Sequence, residues 1–339
     1  MKSGYWAART LADASFWAAA SSVSPAGPIN CGSARKASAI AAAALRPPAV
    51  SAYLVAFLTA LLGWWLSTGV ILYLNLLPRH SHRWSVLAFS TLGLFSLTLL
   101  PQVARDATPL GAAAGFAIAL AVWGWLEISY LMDFITGTHR QPCPPGTRGW
   151  RRFRLALGTS IHHELAVAGA GIAIIGLSWG GDNQVATGTY LVLWIMRWSA
   201  KLNLYLGVSN FNEHWLPERS RYLVTYMRKR RMNYLFPLSV TLGTAGTVLL
   251  LRAAIGAGDD FGRLGNTLVC SLLALAVLEH WFLVLPLRDS ALWQWAISAA
   301  DRARGRQRPA ARSKLPMTTA ATREARGLDR GIRTGVGTG

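Results

Sequence analysis

The sequence predicts an all-α, polytopic transmembrane helix bundle of about seven spans, and three observations carry that prediction. Of 339 residues, 52% are hydrophobic and only 14% are charged, whereas a soluble globular domain has about 25% charged residues. The mean hydropathy is +0.30 and there are 15 tryptophans, a residue that favours membrane interfaces. Seven apolar runs approach the roughly 20 residues a helix needs to cross the hydrocarbon core. These are Ser51–Leu77, Trp84–Leu100, Leu110–Ile135, Leu155–Trp179, Gln184–Leu206, Tyr234–Leu251 and Leu264–Leu285. The second is short and sits upright or thins the bilayer locally.

The formal net charge is +19. In a soluble protein that balance would point to nucleic acid. Here the basic residues lie between and after the apolar runs, so no nucleic-acid partner is expected. Basic loops beside anionic lipid headgroups account for the charge. The loops alternate. The first has Arg79 and Arg83, the third Arg140, Arg148, Arg151, Arg152 and Arg154, and the fifth Arg219, Arg221, Arg228, Lys229, Arg230 and Arg231. The even loops are balanced or acidic, as in Arg105 with Asp106, Asp182, and Arg252 and Arg263 with Asp259 and Asp260. The positive-inside rule then places the odd loops and the C-terminus in the cytoplasm of a bacterial inner membrane.

Three regions follow. Residues 1–49 are rich in Ala and Ser, interrupted by Pro25, Gly27, Pro28, Pro47 and Pro48, and carry Lys2, Arg9, Arg35, Lys36 and Arg46 on the side expected to be outside. They are expected to be a poorly ordered extension, with Val50 a candidate true start. Residues 50–287 form the membrane domain. Within it, residues 216–232 are expected to lie as an amphipathic helix on the cytoplasmic leaflet, starting at Pro217. Residues 288–339 comprise an interfacial segment with Trp293 and Trp295, then a basic, disordered tail from Asp301. Cys31, Cys143 and Cys270 are far apart and odd in number, so neither a disulfide framework nor a CxxC metal pair is expected.

Few ionisable groups lie within the runs, so each counts. The third run has Glu127, and the fourth His162, His163 and Glu164. The fifth has Arg197 and Lys201, and the seventh Glu279 and His280. At about 1.5 Å per helical residue, Glu127, Glu164, Arg197 and Glu279 fall roughly 10–14 Å inside the cytoplasmic boundary and Lys201 roughly 8 Å. Arg197 and Lys201, four apart, share a helix face. Glu127, His163, Glu164, Arg197, Lys201, Glu279 and His280 therefore predict one polar layer across four helices. A structural cluster that fixes helix rotation accounts for it. So does a functional site: carboxylates and imidazoles for a metal, an axial imidazole for a tetrapyrrole, or a proton relay. A diiron site would need Glu-x-x-His on two helices. His163-Glu164 and Glu279-His280 are adjacent and point about 100° apart, so no metal site is assigned. His80 and His82 read as a solvated basic loop, and Glu213-His214 as a solvated pair. Gly169, Gly171 and Gly176 are helix-packing positions. No phosphate loop, nucleophile elbow or dinucleotide fingerprint occurs.

Six strings occur in order. They are Leu-Pro-Arg-His-Ser-His-Arg-Trp-Ser from Leu77, Trp-Leu-Glu-Ile-Ser-Tyr-Leu-Met from Trp125, and Arg-Gln-Pro-Cys-Pro-Pro-Gly from Arg140. Then come Met-Arg-Trp-Ser-Ala-Lys-Leu-Asn-Leu-Tyr-Leu-Gly-Val from Met196, Arg-Met-Asn-Tyr-Leu-Phe-Pro-Leu-Ser-Val-Thr from Arg231 and Leu-Glu-His-Trp-Phe-Leu-Val-Leu-Pro-Leu from Leu278. From Val50 to Ile297 the chain resembles the PuhE-type photosynthetic complex assembly proteins of purple phototrophic bacteria. The resemblance implies an accessory factor for the reaction centre, the light-harvesting complex and bacteriochlorophyll supply. Reaction-centre or light-harvesting subunits would be its partners, and it implies no catalytic residues. It leaves the cofactor open, with bacteriochlorophyll or another tetrapyrrole the candidate. The segment Glu213–Arg221 departs from the more acidic, histidine-bearing version expected of the family, which weakens any role for His214. An intramembrane enzyme acting on a pigment or lipid, and a proton-coupled transporter, are the rival readings.

Overall fold

The computed structural model describes residues 50–210, 218–285 and 289–306. Residues 1–49, with Cys31, lie outside these, as do Glu213, His214 and residues 307–339. Contacts divide the chain into residues 1–52 and 53–339; of the former only Val50, Ser51 and Ala52 are described, as the first residues of α1.

All regular structure among the described residues is helical. The helices are α1 (Val50–Leu76), α2 (Arg79–Val103), α3 (Pro109–Leu131), α4 (Gly149–Gly158), α5 (Ile161–Leu177), α6 (Val185–Leu206), α7 (Leu235–Gly256), α8 (Asp260–Phe282) and α9 (Gln294–Arg306). Short 3-10 turns cover Glu218–Tyr226 and Asp289–Trp293. By length and composition five of these (α1, α2, α3, α7 and α8) can cross a membrane, and the bent pair α4–α5 makes a sixth if counted as one span. The remaining expected run is α6, 22 residues long and made more polar by Arg197, Lys201 and Asn203.

The helix ends follow local chemistry. Thr108 caps α3 by accepting from the Gly111 N–H at 3.1 Å, with Pro109 at the first helical position. Asp259 caps α8 through the Gly262 N–H at 2.6 Å. The first loop is much shorter than expected. α2 starts at Arg79 directly after Pro78, so His80 and His82 are helical. His82 is buried, with Nε2 3.0 Å from the Leu77 carbonyl, rather than solvated.

The fourth run is not one helix. α4 and α5 meet at 68° across Thr159 and Ser160. The cause is the loop after α3, which crosses the break. The His139 N–H donates to the Gly158 carbonyl at 3.0 Å and the His163 N–H to the Thr136 carbonyl at 3.0 Å. Gly137 packs so closely that a Cβ there would lie 2.1 Å from the Gly158 oxygen. α4 is thus a short helix at the basic end, anchored by buried Arg152, which donates to the Tyr226 carbonyl at 2.5 Å and stacks on Tyr205.

The loops sort onto two ends. At one, Asn183 holds the second and fourth loops together by donating to the Val103 and Asp106 carbonyls, both at 3.0 Å. At the other, the Tyr226 hydroxyl donates to the Gln141 carbonyl at 3.1 Å, and the Cys143 N–H to Thr225 at 2.8 Å. There Arg219 also donates to Asn75 and to the Leu131 carbonyl. This second end carries the basic third and fifth loops. The helix expected over 216–232 is, in its described part, shorter and of 3-10 rather than α form. Glu218–Tyr226 is a 3-10 turn, followed by an extended stretch in which Val208 bridges Lys229. The strap is tied across α1, α3 and the third loop by its own hydrogen bonds, which a free surface helix would not have.

The C-terminal segment differs as well. Trp293 and Trp295 pack on α1, against Trp64 at 5.4 Å and Trp65 at 5.6 Å. α9 continues to Arg306, through residues expected to be disordered. Its Ala296 and Ala300, four apart, are fully buried, so small residues on one face give this segment something to pack.

The core lies between α3, α5, α6 and α8. One cluster joins Leu100, Ile118, Val122, Leu126, Val167, Ile174 and Tyr190, and a second Ala56, Ala60, Phe116, Leu268 and Leu272. The outer faces of α1, α2 and α7 carry exposed Leu54, Leu94, Phe95, Leu242 and Leu249, as helices solvated by lipid do.

Candidate functional site: a polar layer in three groups

The seven residues of the expected layer occupy α3, α5, α6 and α8, but the structure resolves them into three groups. In the first, Arg197 Nη2 donates to Glu127 Oε2 at 2.8 Å. Glu127 Oε1 faces His163 Nε2 at 4.0 Å and has no hydrogen-bond partner. His163 is 1% exposed, its ring 4.5 Å from that of Tyr130. In the second, Glu164 accepts from Lys201 at 2.5 Å and from Trp198 Nε1 at 2.7 Å, with Ser160 at 3.3 Å. Lys201 also lies over the Tyr130 ring at 5.1 Å. One turn of α6 thus presents a guanidinium to Glu127 of α3 and an ammonium to Glu164 of α5.

The break between α4 and α5 positions the second group. Glu164 lies in the first turn of α5, where the helix N-terminus favours a carboxylate, and the bend points that turn back at α6. His162, beside it, is exposed and joins neither group.

His280 belongs to a third group, which holds no carboxylate. Its Nδ1 lies 2.8 Å from the Ala276 carbonyl and its Nε2 2.8 Å from Ser199 Oγ. A carbonyl only accepts, so Nδ1 carries a proton; Ser199 Oγ in turn donates to Ser239 Oγ at 2.8 Å, and Ser239 to the Leu235 carbonyl at 2.9 Å. Ser239 and fully buried Asn203 extend this network to α7. Glu279 points elsewhere, as adjacency on a helix requires. It accepts from Trp64 Nε1 of α1 at 2.7 Å.

This geometry bears on the chemistry. Both ring nitrogens of His280 are engaged, so it offers no free lone pair for axial ligation. His163 is enclosed by Tyr130 and Glu127. Among the described residues no three His, Cys, Asp or Glu side chains converge to hold a metal. The carboxylates of the first two groups are each matched by a cation, which makes charge burial tolerable. Sequence reasoning missed Tyr130, Trp198, Ser199, Asn203 and Ser239. Tyr130 and Trp198 gave a signal, as aromatic residues three positions from Glu127 and Lys201 on the same helices; Ser199, Asn203 and Ser239 have no such spacing from a charge.

Two cavities flank Tyr130. A smaller one of about 150 Å³ is bordered by Glu164, Lys201, Trp198 and Tyr205. A larger one of about 410 Å³ is bordered by Glu127, Arg197, Glu279 and Trp64.

The family described as "Protein of unknown function (DUF3623)" matches residues 50–304. The chain belongs to this family. A relative in Rhodobacter capsulatus, described as an uncharacterized 30.4 kDa protein in the puhA 5' region, is 38% identical over 248 residues, covering 72% of this chain and 90% of the relative. No solved structure matches. All seven layer residues fall within the family match.

Proposed function

We propose that this family member is a membrane-embedded accessory factor that helps assemble the bacterial photosynthetic complex, serving the reaction centre, the light-harvesting complex and bacteriochlorophyll supply. The observation that carries this reading is the kinship with the Rhodobacter capsulatus protein named for the puhA 5' region. The six ordered strings of PuhE-type resemblance point the same way. The architecture suits the role. Long apolar faces on α1, α2 and α7 are unoccupied by the bundle itself and offer helix-to-helix contact to nascent subunits. The factor sits in the inner membrane with its basic end and C-terminus in the cytoplasm.

The test is deletion of the gene in the organism that encodes it, with the near-infrared absorption of isolated membranes as readout. Loss or imbalance of the reaction-centre and antenna bands, restored by the wild-type gene, supports the assembly role. An unchanged spectrum and unchanged phototrophic growth overturn it. Rescue by Glu164→Gln paired with Lys201→Met, at normal protein level, would show that the second group only packs.

A further inference from the structure

The smaller cavity lies where three features of the fold meet: the break between α4 and α5, the strap, and the Glu164–Lys201 pair. At the break itself the bordering side chains are small, Thr159 and Ser160, and the strap contributes Tyr226 and Met227. Five aromatic rings form much of the wall: Tyr130, Phe153, Trp198, Tyr205 and Tyr226. Each is held by a further contact. Tyr130 lies 4.5 Å from the His163 ring, and Phe153 stacks on Trp150 at 5.1 Å. Arg152 covers Tyr205 at 4.6 Å. The Trp198 N–H donates to Glu164 and the Tyr226 hydroxyl to the Gln141 carbonyl. Walls fixed in this way need little ordering when a ligand arrives. A space of about 150 Å³ with an apolar lining takes one benzene-sized ring, and aromatic walls receive such a ring edge-on or offset.

Among the described residues that border this cavity the charged ones are Glu164 and Lys201, and they are unequally satisfied. Glu164 accepts from Lys201, from Trp198 and from Ser160. An ammonium has three N–H donors. Among the described residues Glu164 is the one hydrogen-bond acceptor of Lys201, and the Tyr130 ring engages another side of the ammonium at 5.1 Å. The Lys201 side chain is 27% exposed and borders the cavity, so a donor is left over at its wall. A ring that carries an acceptor oxygen completes the set.

We propose that this cavity binds the ring of a membrane-dissolved aryl ketone or quinone, whose carbonyl oxygen accepts from Lys201. The ring sits among Tyr130, Trp198 and Tyr205, beneath Tyr226 and Met227 of the strap. The proposal goes beyond the assembly role and does not rest on it, because binding is read on the purified protein.

The experiment uses the full chain in lipid nanodiscs and two probes, 4-fluoroacetophenone and 4-fluorotoluene, which share the ring and differ in the carbonyl. Fluorine NMR titration, compared with empty nanodiscs, separates binding from partition into lipid. The ketone should bind about tenfold more tightly than the hydrocarbon, the worth of one hydrogen bond to a charged donor. Ala156→Phe, which fills the ring space, should abolish binding of both. Lys201→Met, in which Glu164 keeps Trp198 and Ser160, should bring the ketone down to the affinity of the hydrocarbon. Should Ala156→Phe fail to fold by circular dichroism, Met227→Trp fills the space from the strap instead. Should Lys201→Met fail to fold, the infrared carbonyl band of the bound ketone reads the hydrogen bond in the wild-type protein, at lower frequency than in empty nanodiscs. Equal affinities for the two probes, a preference that survives Lys201→Met, or an unshifted carbonyl band overturns the role of Lys201. Binding that survives a folded filling variant overturns the site, as does the absence of binding beyond that of empty nanodiscs.

Discussion

At the residue scale, the contact that most constrains the layer is Arg197 with Glu127. The Glu127 side chain is 10% exposed and that of Arg197 38%, the latter toward the larger cavity. Breaking a fully buried pair from one side costs about 3–5 kcal/mol, because the remaining charge is stranded. The partial exposure of Arg197 lowers this, and Arg197→Met or Glu127→Gln should each cost about 2–4 kcal/mol. The double variant should cost less than the sum of the two. Unfolding of the four proteins in detergent, read as a double-mutant cycle, checks the coupling; simple additivity would mean that the two side chains do not share a contact. Outside the spans, burial first and then nearby Cys143 raise the phenol of Tyr226 above its ordinary value of 10.0. A raised pKa means the fold prefers the neutral form, so this contribution is complete below pH 10 and is lost as pH climbs through the higher folded value. The strap should therefore loosen in alkali beyond pH 10, measured as faster amide exchange over 218–230, and Tyr226→Phe should blunt that pH step. The identity of the layer was legible residue by residue, since charges are rare in these runs. Its division into three groups was not, because pairing depends on helix rotation and on the adjacent positions Glu279 and His280 diverging.

At the element scale, the bend between α4 and α5 is what aims Glu164 at Lys201. Gly137 permits it, since any Cβ there meets the Gly158 carbonyl at 2.1 Å and the Thr159 and Ser160 backbone at under 3 Å. Backbone cannot yield as a flexible side chain can. Gly137→Ala should thus destabilise by at least about 2 kcal/mol, seen as a lower thermal midpoint. It should also lower the fluorescence contribution of Trp198, whose indole donates to Glu164; an unchanged midpoint would show that the loop can stand off from the break without cost. Most helices were legible from apolar run length alone, with ends shifted by a few residues. The broken run was not. Leu155–Trp179 is apolar enough throughout, and the break is imposed by a loop more than twenty positions earlier, a tertiary effect on a locally helical sequence. The strap failed for the same reason. Its residues could form an amphipathic helix, but Arg219, Thr225 and Tyr226 each have a long-range partner that holds them otherwise.

At the scale of the whole molecule, the two ends differ in charge, and this difference should set the orientation. The third and fifth loops meet at one end, where Cys143 and Thr225 are bonded at 2.8 Å, so their arginines and lysines act as one basic surface. The second and fourth loops meet at the other end around Asn183, where Asp106 and Asp182 offset Arg105. Loop charges could be listed from the sequence, and their parity was legible because each apolar run reverses the chain. Which loops touch was not legible, and contact is what turns scattered basic residues into a coherent face. Positive charge resists translocation, so the end bearing Cys143 should remain in the cytoplasm. Cys143 reports this directly, being partly exposed while Cys270 is buried. With Cys31→Ser in place to leave one accessible thiol, a membrane-impermeant maleimide should modify Cys143 in inverted vesicles and leave it unmodified in right-side-out spheroplasts until the membrane is permeabilised. Modification in intact spheroplasts would reverse the topology.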